Sequence, residues 1–355
     1  MLQLVIIAAA LGVAVTPLPR ATVERVYARG VYPAIQPRLT AFSNHLTPAL
    51  FDVMLVGLIL ALLAMWFVAL RRRARGTALR TLGRLTLNTA AIGALVYFWF
   101  LAAWGLNYQR EPIRTQLDFQ EDRITAGALR TLVRRDVEEM NRLYDAAHRA
   151  GWPELPQTTE LLITPFDRVQ QELAMRWRAE AGRPKRSLVD FYFQRVAVDG
   201  MTDPFFLETL ANQGLLPFER PFVVAHEWGH LAGYADESEA NFLAWLICMR
   251  GGPSEQYSAW ISLYGTLISS LPPGDRGVES QRVHPGPGQD LDAITERLAR
   301  QVNPAASRMG YALYDRFLKA NRVESGVRSY SEVIKLLLGT RFNTDGSPRL
   351  RPAPQ

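Results

Sequence analysis

His226-Glu227-Trp228-Gly229-His230-Leu231-Ala232-Gly233-Tyr234-Ala235-Asp236-Glu237-Ser238-Glu239-Ala240-Asn241 is the stretch on which the reading of this chain turns. On a helix, His226 and His230 lie one turn apart on the same face with Glu227 beside them. That is the H-E-x-x-H arrangement of a zinc site with a general base next to its ligands. The bland alternative, two ordinary helix residues, would spend two of the chain's five histidines on one face around a glutamate. Gly233 is placed to end this helix and Asp236 to open a second, so the turn brings the chain back to the metal. A zinc site needs a third protein ligand, and a catalytic one leaves the fourth position to water. Asp236 fits the spacing H-E-x-x-H-x-x-G-x-x-D. Glu237 lies four residues before Asn241, so one of that pair can bind zinc while the other orients a ligating imidazole through its second ring nitrogen. The spacing favours Glu237.

The neighbours of these residues carry weaker expectations. Glu239 points away from Glu237 and reads as a solvent-facing residue or a helix-dipole partner. Glu219 and Arg220, just ahead of the helix, read as surface charges. Gly229 weakens a helix by about 1 kcal/mol, which points to the close approach of another backbone. With zinc on His226, His230 and Glu237, Glu227 would take a proton from the attacking water and hand it to a leaving amine. Tyr257, Tyr264, His284, Tyr311 and Tyr314 are the available donors to an oxyanion. Spacing does not choose among them, and Tyr257 is carried forward as the candidate.

Three apolar stretches precede this region. Residues 1–19 hold no ionisable side chain, Val53–Leu70 is an apolar run of 18 residues, and Leu85–Leu106 is one of 22. Each is long enough to span a bilayer, and the first reads as a retained span (about 2–19) rather than a cleaved signal peptide. Between the second and third lie Arg71, Arg72, Arg73, Arg75, Arg80 and Arg84 without one acid, the mark of a cytoplasmic loop. The expected topology therefore puts residues 20–52 and everything after Trp104 on the outer side. Those six arginines equal the whole formal net charge of +6, so the basic balance reports topology and not a nucleic-acid partner. The single cysteine, Cys248, cannot form an intramolecular disulfide and reads as a core residue. The stretch Phe222–Met249 is too polar for a lipid-facing span, which excludes a site inside the bilayer.

The sequence thus divides into a membrane anchor (1–106), a soluble domain (107–342) and a disordered tail (343–355). Thr125–Gly151 has the apolar period of a long amphipathic helix. Glu160–Phe166 and Leu188–Val198 are β-prone runs suited to a small sheet. Phe205–Asn212 stands where zinc peptidases place the edge strand that pairs with substrate. Pro272–Gly288 reads as an exposed loop. Leu291–Gln301, Ala305–Asn321 and Tyr330–Leu338 read as helices, and no internal repeat is present.

Several segments resemble the bacterial family catalogued as domain of unknown function 3810. They are Glu24–Pro33, Trp104–Tyr108, and above all Pro221–Leu246, with the pattern P-F-x-x-x-H-E-x-x-H-x-x-G-x-x-x-E-x-E-A-N-F. Near the end, Tyr314, Lys319-Ala320-Asn321 and Gly326–Tyr330 resemble its closing segment. In that pattern the acid aligns with Glu237 and the asparagine with Asn241, whereas the position of Asp236 is not reliably acidic. The helix that would supply the third ligand is also similar to those of gluzincin-type peptidases. The resemblance implies three amino-terminal spans followed by an H-E-x-x-H domain in the bacterial inner membrane. The expectation is mainly α: three transmembrane helices and an α+β zincin-like domain, with Zn2+ as cofactor and a protein or peptide as substrate beside the lipid bilayer. A non-catalytic zinc-binding envelope protein that binds a partner, or an amidase acting on a cell-wall component, are the alternative readings.

Overall fold

The structure is a computed structural model that describes residues 1–73, 77–321 and 332–352. Arg75, residues 322–331 (with the Gly326–Tyr330 segment and the start of the helix expected from Tyr330) and residues 353–355 lie outside the described residues. Helix α1 (Leu2–Val15) ends where Pro17 and Pro19 interrupt it, and a short α2 (Arg20–Thr22) runs into a π-helical stretch, Val23–Val31. α3 (Tyr32–Asn44) follows, then α4 (Leu50–Arg71) and α5 (Ala78–Ala103).

With 22 and 26 residues, α4 and α5 are long and apolar enough to cross a membrane. α1, at 14 residues, extends only about 21 Å. It is short of the roughly 30 Å of a hydrocarbon core. It counts toward a third crossing only together with Arg20–Asn44, to which it is bent by 113°. The expected first span thus shrinks because two prolines end its helix four residues early. The third apolar run is a helix that starts before Leu85 and stops at Ala103, after which Gly105–Gln109 tightens into a 3-10 turn.

The connector after α1 packs into the domain that follows α5. Val23, Tyr27 and Tyr32 belong to the main hydrophobic core. Along α3, the Tyr32 hydroxyl donates to Leu231 O (3.0 Å), Gln36 Nε2 to Glu180 O (2.9 Å) and Thr40 Oγ1 to Leu207 O (2.9 Å). Residues 23–44 and the domain after residue 106 therefore share one core.

That domain is mainly helical. α6 (Ala126–Ala150) has the boundaries its caps dictate: Thr125 Oγ1 accepts from Ala128 N, and Gly151 leaves the helix at φ +72°. α7 (Thr158–Glu172) and α8 (Asp190–Val196) replace the two expected β-runs. Leu162, Phe166 and Val169 recur at helical intervals and all are buried, so tertiary packing overrides their β-propensity. The sheet is two short strands, β1 (Gly200–Thr202) antiparallel to β2 (Thr209–Ala211), with Met201 opposite Leu210. β2 is bridged on its other side by Lys185. The strand found within Phe205–Asn212 is therefore interior, and β1 is the edge.

α9 (Arg220–Leu231), α10 (Glu237–Met249) and α11 (Pro253–Ser269) form the centre, with α11 alongside α6. The expected loop Pro272–Gly288 is instead α12 (Pro273–Ser280) and the start of α13 (Pro285–Gln301), followed by α14 (Pro304–Ala320) and α15 (Val333–Gly339). Pro221, Pro253, Pro273, Pro285 and Pro304 all occupy first helical turns, where the missing N–H costs nothing and φ is preset. Proline here marks helix starts, not a loop. The expected disordered tail is ordered as far as residue 352: Phe342 bridges Pro348 and Leu117 bridges Leu350, around a turn at Asp345-Gly346 with Gly346 at φ +78°.

Candidate metal centre

α9 presents His226 and His230 on one face with their rings 4.7 Å apart. The chain leaves the helix at Ala232, and Gly233 at φ +89° lets it turn back. A Cβ at Gly233 would sit 2.4 Å from the Arg110 guanidinium, which donates to Gly233 O (2.9 Å) and to Glu24 Oε2 (3.2 Å). The segments that follow α1 and α5 thus clamp the turn. Asp236 caps α10, accepting from Ser238 N (2.9 Å) and from the Ser238 hydroxyl. Its carboxylate is occupied there, and Glu237, one residue on, faces the histidines.

Glu237 Oε2 lies 3.1 Å from His226 Nε2 and 3.5 Å from His230 Nε2. One ligand atom from each residue falls within 4.8 Å of the others. The second ring nitrogens are engaged elsewhere: His226 Nδ1 faces Asn241 Oδ1 (2.9 Å) and His230 Nδ1 faces Tyr234 O (2.8 Å). Both partners are acceptors, so each Nδ1 carries a proton and each Nε2 is the nitrogen turned inward, where its lone pair can serve a metal. Glu237 Oε2 is buried with no aligned hydrogen bond. Three electron-pair donors converging in a buried space is unfavourable unless a cation joins them, and two imidazoles with one carboxylate is a donor set suited to zinc. The residues fit the metal.

Electrostatics point the same way. Burial alone would raise the Glu237 carboxyl, but the adjacent His230 charge and the contacts from both histidines outweigh it and hold Glu237 well below the usual carboxylate range. Burial would lower His230, yet Glu237 and then Glu227 hold it up at about 9. Without a metal, the same negative charge favours a proton on His230, in the place a cation would take.

Glu227 is 2 % exposed, and its Oε2 accepts from the Thr202 hydroxyl (2.8 Å). Burial raises its carboxyl, against the pull of both histidines and of Thr202. Gly200 on the edge strand makes room for it, since a Cβ there would stand 2.5 Å from Glu227 Oε1. Gly229 answers to its expectation: a Cβ would lie 3.1 Å from Ala240 Cα, so the glycine lets α9 and α10 close on each other. Trp228 is fully buried and donates to Gly182 O (2.8 Å).

The aromatic surround includes two residues, Trp104 and Tyr108, to which the sequence reading gave no role at the site. Trp104, just past α5, sets its ring edge-on to His230 at 5.9 Å. Tyr108 stands near enough that burial and the Glu237 charge both raise its phenol. Tyr314 on α14 donates its hydroxyl to Glu237 Oε1. Of the five proposed oxyanion donors, Tyr314 is the one hydrogen-bonded to the cluster. Tyr257 donates to Asp290 Oδ2 (2.6 Å) among Tyr144, His148 and Trp152 instead. Tyr264 packs with that second cluster, His284 precedes α13 as its cap, and Tyr311 is exposed.

Two further expectations are corrected. Glu239 stands in the first turn of α10, where an acid faces the helix dipole as expected, but it is half-buried rather than solvent-facing, accepts from Ile113 N (2.6 Å), and is pushed up to about 8 by burial and the Asp236 charge. Glu219 is buried, held by Arg297 Nη2 (2.8 Å) and Leu216 N (2.8 Å). Cys248 is fully buried, as expected.

The molecule is thus a helical domain attached to membrane-length helices, with a His-His-Glu cluster beside a buried glutamate. The chain belongs to the family described as protein of unknown function (DUF3810), whose profile matches residues 27–338. Comparisons with curated proteins and with solved structures found no match.

Proposed function

We propose that the protein is a membrane-anchored zinc metallopeptidase that hydrolyses peptide bonds at the outer face of the bacterial cytoplasmic membrane. The observation that carries this reading is the convergence of His226, His230 and Glu237 with Glu227 alongside. A structural zinc site has no use for a base next to its ligands. Zinc held by the three residues would supply a Lewis acid that acidifies a water and polarises a carbonyl. Glu227, raised by burial, accepts a proton from the attacking water and returns it to the leaving amine. Thr202 and Gly200 hold that carboxylate in place. Asn241 and Tyr234 O fix the ring orientations of His226 and His230. Tyr314, which donates to Glu237 Oε1 at the cluster, is better supported than Tyr257 for the oxyanion role that the sequence reading gave to Tyr257. β1, as an edge strand next to Glu227, offers backbone groups to an extended peptide. The arginine-rich segment at the far end of α4 and α5 supports an outer location for the domain.

The test is metal content by elemental analysis of the full chain, purified in detergent without chelators, beside cleavage of a quenched-fluorescent peptide library by parent and Glu227→Gln. About one zinc per chain and hydrolysis lost in Glu227→Gln is the expected result. No zinc, or hydrolysis unchanged in the variant, would remove the reading.

A further inference from the structure

Two helices beside the metal cluster expose large apolar side chains. On α14, Met309, Leu313 and Phe317 follow at four-residue steps along one flank and are 65, 57 and 39 % exposed. Arg308, Asp315 and Lys319 lie on the opposite flank, so the helix is amphipathic with its apolar side in the open. On α8 and the turn before it, Leu188, Phe191 and Tyr192 are 71, 68 and 50 % exposed. The Arg195 guanidinium stacks 4.9 Å over the Phe191 ring. The two helices touch each other: Asn303 N, at the start of α14, donates to Arg195 O (3.0 Å), and Gly310 packs on Val196.

Both are tied to the same end of the membrane-length helices. Leu188 N donates to Asp52 Oδ2 (2.8 Å) and Ser187 Oγ to Asp52 Oδ1 (2.6 Å), and Asp52 sits in the first turn of α4. A line of rings then runs from Phe51 to Phe205 (6.5 Å), Phe205 to Phe100 (6.4 Å) and Phe100 to Phe317 (6.1 Å), which links the start of α4, the end of α5 and α14. Trp99, near the end of α5 and 42 % exposed, donates its indole N–H to Phe205 O (3.0 Å), a tryptophan at the level where a bilayer gives way to water.

We propose that α8 and α14 are seated in the interfacial layer of the bilayer, with Leu188, Phe191, Met309, Leu313 and Phe317 among lipid acyl chains. The occupant of this apolar face is lipid because the face continues the lipid-facing surface of α4 and α5 at the depth where those helices emerge. Patches of this kind on a water-facing surface mark interaction sites, and here the adjoining medium is the membrane itself. The seat fixes the domain against the membrane surface and brings α14, which reaches the metal centre through Tyr314, into contact with lipid. It stands whatever reaction the metal centre performs.

The test places a nitroxide label at Phe191→Cys, Leu313→Cys and, as a control, Val278→Cys in the full chain, reconstituted in phosphatidylcholine–phosphatidylglycerol vesicles. Val278 is 55 % exposed on α12, which packs on α6 and α11 and is held to α6 by the Arg130–Asp275 and Arg134–Glu279 pairs. The native Cys248 is fully buried and closed to the reagent. Collision rates with oxygen, which concentrates in lipid, and with a water-soluble nickel chelate are compared at each site. Oxygen is expected to dominate several-fold at 191 and 313 and nickel at 278. Nickel dominating at 191 and 313 would place the face in water, and low rates for both reagents there would place it against protein, such as a second copy of the chain. Either result overturns the proposal.

Discussion

The domain contains two clusters in which histidine meets a carboxylate, and they are built on opposite principles. Around Asp290, His148 Nε2 (2.9 Å) and the Tyr257 hydroxyl (2.6 Å) both reach one carboxylate oxygen, so protons lie between the heavy atoms. Around Glu237, the Nδ1 protons of His226 and His230 are spent on Asn241 Oδ1 and Tyr234 O, and the Nε2 atoms face a carboxylate oxygen to which no hydrogen bond is aligned. The first is a self-satisfied hydrogen-bond network, which needs no ion. The second is an array of electron pairs that a metal would complete. Residue types alone do not separate the two; where the second ring nitrogen sends its proton does.

The contrast is tested most strongly by deleting the two acids in turn. Glu237→Ala is expected to take zinc content from about one per chain to none, whereas Asp290→Ala keeps the metal, as read by elemental analysis of both proteins. Zinc retained by the first or lost by the second would reverse the assignment. Next in size is Glu227→Gln, for which peptide hydrolysis falls by about a hundred- to ten-thousand-fold with zinc unchanged, the usual range for a lost general base. Gly200→Ala is expected to act in the same direction, because its methyl group would stand 2.5 Å from Glu227 Oε1 and displace the carboxylate while the metal ligands stay in place. Asn241→Ala releases the His226 ring, and zinc affinity in competition with a chromogenic chelator should weaken by about ten- to a hundred-fold. The smallest effect is expected from Tyr257→Phe, which leaves zinc and hydrolysis alone and lowers stability by about 1 kcal/mol in chemical denaturation, one buried hydrogen bond.

Much of the centre was legible because its rules are local. Two histidines four apart, a glycine where the backbone must turn at φ +89°, an aspartate cap and an acid four residues before an asparagine all act within one or two helical turns. α6 was legible for the same reason, down to its Thr125 and Gly151 caps. The errors share a cause too. Glu239 and Glu219 looked like surface charges because their partners, Ile113 N and Arg297, are more than seventy residues away in the chain. The proline–glycine segment 272–288 looked like a loop because those residues punctuate both loops and helix starts, and only packing of the turns that follow tells which.

Periodicity and short-range spacing were enough to specify the apolar helices, the α9–turn–α10 unit and the candidates for metal binding, since each depends on geometry that repeats within a few residues. Folding in three dimensions decided which phenol reaches Glu237, which strand lies beside Glu227, and that the connector after α1 shares the core of the domain. Tyr314 is 77 residues from Glu237 along the chain and Tyr257 only 20, yet the nearer one turns to Asp290. Contacts of that length depend on how whole helices stack, and no local pattern encodes the stacking.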